Sequence, residues 1–161
     1  MSVGDSKELF DDVISRAIPE IRAAAVDPFT FAFYHDHESA AVSICVDTES
    51  NSARSVRRRN RFMLKHFADA IAEGNLKRAS LLKANLGRSI SLGDFAIKNL
   101  ARTKLGSIST DGDFYLDMIR TLRGWEPEII AMASDSRCLL FCTSSAEWEV
   151  GYIWSAPLAP E

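Results

Sequence analysis

The sequence lacks the features that mark a membrane-spanning, exported or disulfide-stabilised protein. None of its 161 residues lies in an uninterrupted apolar run near the roughly 18 residues that a membrane helix needs. The first residues hold no basic leader followed by an apolar run, so we expect a cytoplasmic protein that does not bind membranes. The three cysteines are an odd number and lie among apolar residues, which predicts buried, reduced thiols.

Short catalytic motifs are also missing. The sequence has no G-x-S-x-G nucleophile elbow, no phosphate-binding G-x-x-x-x-G-K-[ST] and no dinucleotide glycine fingerprint. We therefore expect a protein without catalytic residues, cofactor or bound metal. An enzyme whose active site combines residues distant in sequence is a further alternative.

Four residue groups have side chains that could do chemistry, and each has a simpler structural interpretation. His35 and His37 share one face of a predicted strand, but no third ligand follows at a recognisable spacing, so we predict no metal site. We predict that Cys138 and Cys142 lie in a strand of the core. Asp111 and Asp113 in "TDGD" are predicted to belong to a helix cap. Glu147 and Glu149 are predicted to be solvent-facing residues of a strand rather than a catalytic acid and base.

Two β-hairpins are indicated by residues that alternate in polarity. In the first, Phe29, Phe31 and Phe33 alternate along one strand and Val42, Ile44 and Val46 along the next, and we expect these six residues to share the main core. The turn between these strands falls within "HDHES". The second hairpin is predicted from residues 138–142 and 148–154.

Helices are predicted at about residues 5–24, 52–73, 75–86 and 93–103, and again through "STDGDFYLDMIRTLRGW". Residues 126–133 fit either a helix or a strand. The composition, 47% hydrophobic and 25% charged, is near the globular average. Together these elements predict a single globular domain over residues 1–161 with an α+β fold, in which an antiparallel sheet from the two hairpins packs against several helices.

Charge is distributed unevenly along the chain. The formal net charge is −3 overall, but residues 51–88 hold ten Lys or Arg and only two Asp or Glu, while the segments on either side are acidic. A basic segment of this kind is typical of a surface that meets nucleic acid, an acidic protein or a membrane surface, or of a solvated face that offsets the acidic flanks.

The predicted helix over residues 52–73 separates its charged and apolar side chains. At 100° per residue, one arc of about 120° carries apolar residues that we expect to face the core, namely Val56, Met63, Leu64, Phe67, Ala70 and Ile71. A separate arc of about 100° carries the basic residues, with an aromatic residue at its border. We predict these residues to bind a partner: Arg54, Arg57, Arg58, Arg61, Phe62 and Lys65.

The C-terminal half resembles a group of small bacterial proteins. The stretches "LARTKLG", "FYLDMIRTLRGW" and "RCLLFCTSSAEWEVGYIWS" are similar in general character to immunity-type proteins encoded beside secreted toxins. This resemblance implies a cytoplasmic protein that binds its cognate toxin and occludes it.

Three classes of function thus remain open. The first is a binding protein of the immunity type, and the segregated charge suits its fast and selective association. The second is a nucleic-acid-binding or regulatory module that uses the helix at 52–73, although the overall pI near 5.6 disfavours it. The third is the enzyme with dispersed catalytic residues.

Overall fold

The computed structural model describes residues 3–157, with side chains from residue 6 onward. The chain divides into two compact units, which we call the sheet unit (residues 1–48 and 91–161) and the helical unit (residues 49–90).

In chain order the described elements are α1 (Val3–Ala23), β1 (Thr30–Asp36), β2 (Ala41–Asp47), α2 (Glu49–Ala72), α3 (Leu76–Leu81), β3 (Ile97–Lys104), α4 (Gly112–Gly124), α5 (Glu126–Met132), β4 (Leu140–Thr143) and β5 (Tyr152–Ser155). Residues 126–133, for which the sequence allowed either a helix or a strand, contain helix α5. In the described part of the chain, no helix is both long enough and apolar enough to span a membrane.

The strands form one sheet in the order β3-β2-β1-β4-β5. The predicted α+β class is confirmed, but the prediction of a purely antiparallel sheet is wrong, because β1 and β4 run parallel. Parallel strands require a crossover connection rather than a tight turn. Helices α4 and α5 provide it, since they carry the chain from β3 at one edge to β4 on the far side of β1.

The first predicted hairpin is present. β1 and β2 pair antiparallel, with Phe31 opposite Val46 and Phe33 opposite Ile44, and residues 37–40 form the turn. β4 and β5 also pair antiparallel, but the loop at 144–151 replaces the first half of the strand predicted at 148–154.

β3 corrects the helix predicted at 93–103. Ile97, Leu100 and Thr103 lie every third residue along β3, opposite Val46, Ile44 and Val42, which lie every second residue along β2. β3 therefore has one extra residue between each of these pairs, at β-bulges where Asn99 and Ala101 adopt φ of 59° and 50°. These bulges give an edge strand the three-residue spacing of a helix, and that spacing caused the error.

The main core lies between the sheet and the helices of the sheet unit. Five of the six residues predicted there are fully buried in it, namely Phe31, Phe33, Val42, Ile44 and Val46, whereas Phe29 precedes β1 and is half-buried. Phe10 of α1 packs against both the sheet and α4. Its ring centre lies 5.1 Å from that of Phe33 in β1 and 5.1 Å from that of Phe114 in α4, and both contacts are edge-on.

The opposite face of the sheet carries small and polar side chains. Ala32, Cys45 and Cys142 are buried there against Leu92 and Phe95, which follow the helical unit in the chain. Both sheet faces are thus occupied within the sheet unit.

Candidate partner-binding surface

α2 begins directly after β2 and carries all the residues predicted to bind a partner. Its sequence is rich in Arg, Ala and other strong helix formers and contains neither Gly nor Pro. Beyond its end, Gly74 adopts φ of 71° and donates its amide to the carbonyl of Ile71 at 3.0 Å. A left-handed glycine of this kind commonly terminates a helix, so the sequence determines where α2 ends.

The residues predicted to bind a partner are all exposed, and we call them the cationic stripe: Arg54, Arg57, Arg58, Arg61, Phe62 and Lys65. Phe62 is 59% exposed and packs edge-on against His66 with ring centres 4.2 Å apart. Among the residues that the structure describes, no carboxylate forms an ion pair with Arg54, Arg57, Arg61 or Lys65. Their charges are therefore available to a partner.

The apolar arc of α2 is not the buried side that we predicted. Leu64 is 67% exposed, Ile71 47% and Phe67 40%, whereas Ala70 alone of that arc is fully buried. Val56 and Met63 are half-buried. We call Leu64, Phe67 and Ile71 the apolar seam, because they follow one another along the exposed surface of α2.

The side of α2 that the helical unit does cover is largely polar. The segment after α3 runs back along α2, so that the amide of Ser89 donates to Ser52 Oγ at 2.8 Å. Further along, Asn60 and Asn85 exchange two hydrogen bonds of 2.8 Å each. Polar contacts, rather than a shared apolar core, thus hold the returning segment on α2.

As a result the helical unit buries very little apolar surface. All of residues 49–90 are described, and among their apolar side chains only Ala70 and Ala79 are fully buried. Its exposed large apolar residues are Phe62, Leu64, Phe67, Ile71, Leu76, Leu81, Leu86 and Ile90. Scattered apolar residues are normal on a protein surface, but a contiguous exposed set is a mark of an interaction site.

The helical unit is also strongly basic. Residues 49–90 contain ten Lys or Arg and three Asp or Glu, while the remainder of the chain contains nine and nineteen. The exposed apolar seam therefore lies on the cationic part of an acidic protein.

The two predicted histidines come together at the end of β1. Their rings lie 4.3 Å apart, and the Tyr115 hydroxyl reaches both, at 3.1 Å from His35 Nδ1 and 3.4 Å from His37 Nε2. His37 Nε2 also lies 2.9 Å from the carbonyl oxygen of Ser145, which can only accept, so this nitrogen carries the hydrogen. The Tyr115 hydroxyl therefore cannot donate to this nitrogen, and its hydrogen bond with His35 Nδ1 is the shorter of its two histidine contacts. Burial, and second the nearby His37, lower the pKa of His35 from 6.5 to about 4.

This cluster is a structural one. His35 is buried and its backbone amide donates to Ser144 Oγ at 2.9 Å, while Ser144 Oγ donates to the carbonyl of Glu149. The histidines thus fasten the loop at 144–151 to β1. Within the described residues, no group of three or more His, Cys, Asp or Glu side chains is placed to hold a metal ion.

The acidic pair of "TDGD" has the predicted capping role. Asp111 is the N-cap of α4, and its carboxylate accepts from the amide of Phe114. Glu147 and Glu149 lie in the loop at 144–151, so their predicted place in a strand is wrong; Glu149 accepts a 3.3 Å hydrogen bond from Tyr34.

The predicted core position of the cysteines is confirmed for two of them. Cys45 and Cys142 are buried, but Cys138 is exposed in a short 3-10 turn before β4. The strand predicted from residue 138 begins two residues later, at Leu140, which explains the error.

A cavity of about 540 Å³ lies where α1 and α5 end. It is lined by Arg22, Ala25, Val26, Asp27 and residues 131–134, a set without histidine or cysteine. The Ser134 hydroxyl and the Ser134 amide both donate to the carboxylate of Asp27, so this contact joins the segments that follow α1 and α5.

Sequence reasoning located the cationic stripe but missed the apolar seam beside it. The periodicity of α2 identifies an apolar side, yet it carries no information on whether another element covers that side. The polar residues that contact the returning segment, Ser52 and Asn60, were the available signal. Comparison of the chain with models of protein families, with curated proteins and with solved structures finds no match.

Proposed function

We propose that this protein is a non-catalytic binding protein that attaches to an acidic protein partner through α2. The observation that carries the proposal is the combination on one helix of exposed apolar residues with Arg57 and Arg61, which have no ion-pair partner among the described residues. The apolar residues supply an area to bury, and the cations attract and orient the partner over longer range.

The partner class follows from the resemblance to immunity-type proteins. We propose that the partner is a bacterial toxin, that binding occludes it, and that this takes place in the cytoplasm. Inhibition by occlusion needs no catalytic residue in the inhibitor, only a surface that covers the partner.

Nucleic acid is the second candidate, because cations on a helix also suit phosphates. The apolar seam favours a protein instead. Phosphate contacts are electrostatic and gain nothing from exposed Leu64, Phe67 and Ile71 side chains, whereas a protein interface buries such side chains at its centre.

The test is association of the purified protein with the product of the gene neighbouring its own, which the proposal expects to be a toxin. A variant with Arg57→Glu and Arg61→Glu should associate at least about ten times more slowly at low salt and depend less on salt, because the attraction is removed. The matched control is Lys7→Glu with Arg22→Glu, an equal charge change on exposed positions of α1, and it should retain most of the association rate.

Two results would count against the proposal. If the Arg57 and Arg61 variant associates as fast and as tightly as the control, the cationic stripe is only a solvated face. If instead the wild-type protein shifts a generic DNA duplex with affinity that falls steeply as salt rises, the nucleic-acid function is correct.

A further inference from the structure

The apolar seam has the geometry of a helix-pairing surface. Leu64, Phe67 and Ile71 are separated by three and then four residues, the spacing that repeats along one line of a helix where another helix packs. The line spans about 10 Å at 1.5 Å per residue, or two helical turns. All three side chains are at least 40% exposed, so nothing in the described chain covers this line fully.

The surface beside the seam admits close approach on one side. We give positions around the axis of α2 as angles from Leu64, at 100° per residue. Ala68 lies at about 40°, Arg57 at about 20° and Arg61 at about 60°, all on the side of Leu64 away from Phe67 and Ile71. Ala68 is exposed and small, so a partner backbone can come near there. Arg61 and Arg57 lie three and seven residues before Leu64 in the chain, so an occupant that continues past the N-terminal end of the seam brings its carboxylates to their guanidinium groups.

α2 cannot bind an extended strand in the usual way. An added strand needs unpaired backbone amides and carbonyls along a sheet edge, but the backbone groups in the interior of a helix are paired with one another. A partner that satisfies its own backbone therefore fits this surface best. An amphipathic helix does so, and it presents apolar side chains with the same three-and-four spacing.

A second copy of this chain is a poor occupant on electrostatic grounds. Pairing two α2 helices along their seams would bring two cationic stripes together, each within a unit that carries ten basic and three acidic residues. Like charges in an interface oppose association. An acidic helix has the complementary charge.

We infer that the segment of the partner that docks on this protein is an acidic amphipathic helix, which lies along Leu64, Phe67 and Ile71 with its carboxylates on Arg57 and Arg61. This inference rests on the proposed function and specifies the partner's structure at the same site. It assigns distinct roles to the two sets of side chains: the seam supplies buried contact, and the arginines supply orientation and rate.

The test uses a synthetic, fluorescently labelled peptide of three heptads, with Leu at the two seam positions of each heptad and Glu at the flanking positions. Like charges at the flanking positions keep the peptide from pairing with itself. The matched peptide has the same composition with the Leu order scrambled, so it keeps the charge and loses the apolar line. Binding to the full-length protein is followed by fluorescence anisotropy at low and moderate salt.

We expect the ordered peptide to bind at least about ten times more tightly than the scrambled one. Leu64→Glu in the protein should weaken that binding at least about tenfold, because it places a carboxylate in the seam beside the peptide's own. Leu86→Glu is the matched control in the same unit, since Leu86 is 96% exposed and lies outside α2, and it should change the affinity less than about twofold.

The remaining outcomes overturn the inference and separate it from the proposed function. Equal binding of both peptides means that only the cationic stripe attracts them, which leaves the proposed function in place. If neither peptide binds, the helical occupant is wrong, and the toxin experiment with Arg57 and Arg61 still decides the function. A concentration-dependent dimer that Leu64→Glu dissociates means that a second copy covers the seam.

Discussion

Asn60 and Asn85 form a reciprocal amide pair across the helical unit. Asn60 donates through Nδ2 to the backbone carbonyl of Asn85 and accepts through Oδ1 from the backbone amide of Asn85, both at 2.8 Å. One side chain thus satisfies both backbone groups of a residue that belongs to no helix or strand. The path of the chain after α3 depends on this pair, because little apolar packing supports it.

Replacing Asn60 with Ala should release the returning segment from α2. The amide of Asn85 loses its acceptor, and each broken hydrogen bond of this kind costs about 1 kcal/mol or somewhat more. We expect faster amide hydrogen exchange over residues 82–90, with exchange in β1 and β2 unchanged.

Asn60→Asp is the informative comparison, because it keeps the oxygen that accepts from Asn85 and removes the donor. It should show intermediate exchange rates. Equal protection of residues 82–90 in wild type and Asn60→Ala would mean that other contacts hold the segment.

The core of the sheet unit should be sensitive to Phe31. Its side chain is fully buried and lies 6.3 Å from Phe141 between ring centres, so Phe31→Ala should lower the free energy of unfolding by about 3–5 kcal/mol. Urea denaturation measures the loss. Phe62→Ala is the control, because Phe62 is 59% exposed; equal losses in the two variants would contradict the assigned core.

Stability should fall in mild acid because of His35. The pKa of His35 is about 4 in the folded protein, below the ordinary histidine value of 6.5 that applies in the unfolded chain, so the unfolded chain binds the proton more readily. Above pH 6.5 His35 is neutral in both states and does not lower the free energy of unfolding. As the pH falls from 6.5 towards 4, the unfolded chain gains a proton that the folded protein does not, and the free energy of unfolding falls by up to about 3 kcal/mol.

Urea denaturation between pH 7.5 and 4 measures this dependence. His35→Gln should flatten the curve over that range. A slope that is unchanged in His35→Gln would show that another group controls acid sensitivity.

The ion pair between Asp36 and Arg102 should make stability depend on pH in a more acidic range than His35 does. Arg102 Nη2 lies 2.7 Å from Asp36 Oδ2, and this hydrogen bond is the main reason that the pKa of Asp36 is lowered to about 2. The stabilisation is present above the ordinary pKa of 3.8 and is lost as the pH falls towards 2.

Arg102→Ala tests this pair. It should raise the pKa of Asp36, measured by NMR titration of its carboxyl carbon, and cost about 1 kcal/mol at pH 7, since both side chains are partly exposed. An Asp36 carboxyl group that still titrates near 2 would mean that its hydrogen bond from the Ser39 amide is the dominant cause.

The sequence predicted those elements whose own residues determine them. The alternation of Phe31 and Phe33 with Thr30, Ala32 and Tyr34 indicated a strand because its large apolar side chains all lie on the face of the main core, and the "TDGD" segment marked the start of α4 because a cap is a local interaction. Both signals arise from the nearest residues in the chain.

The errors occurred where distant residues decide the outcome. β3 has a helical spacing of apolar residues, and its bulges are visible only in the pairing with β2. Likewise the apolar arc of α2 looks like a core face until the returning segment occupies another side through Ser52 and Asn60. Periodicity describes one helix, but burial depends on what lies against it.

The helical unit is an insertion between two neighbouring strands of the sheet. It leaves the sheet after β2 and returns before β3, and these strands are antiparallel neighbours with Val46 opposite Ile97. Antiparallel neighbours can be joined by a short turn, so the sheet does not need residues 49–90 to bring these strands together. The pairing of β2 with β3 is therefore specified by the strands themselves and not by the segment that connects them.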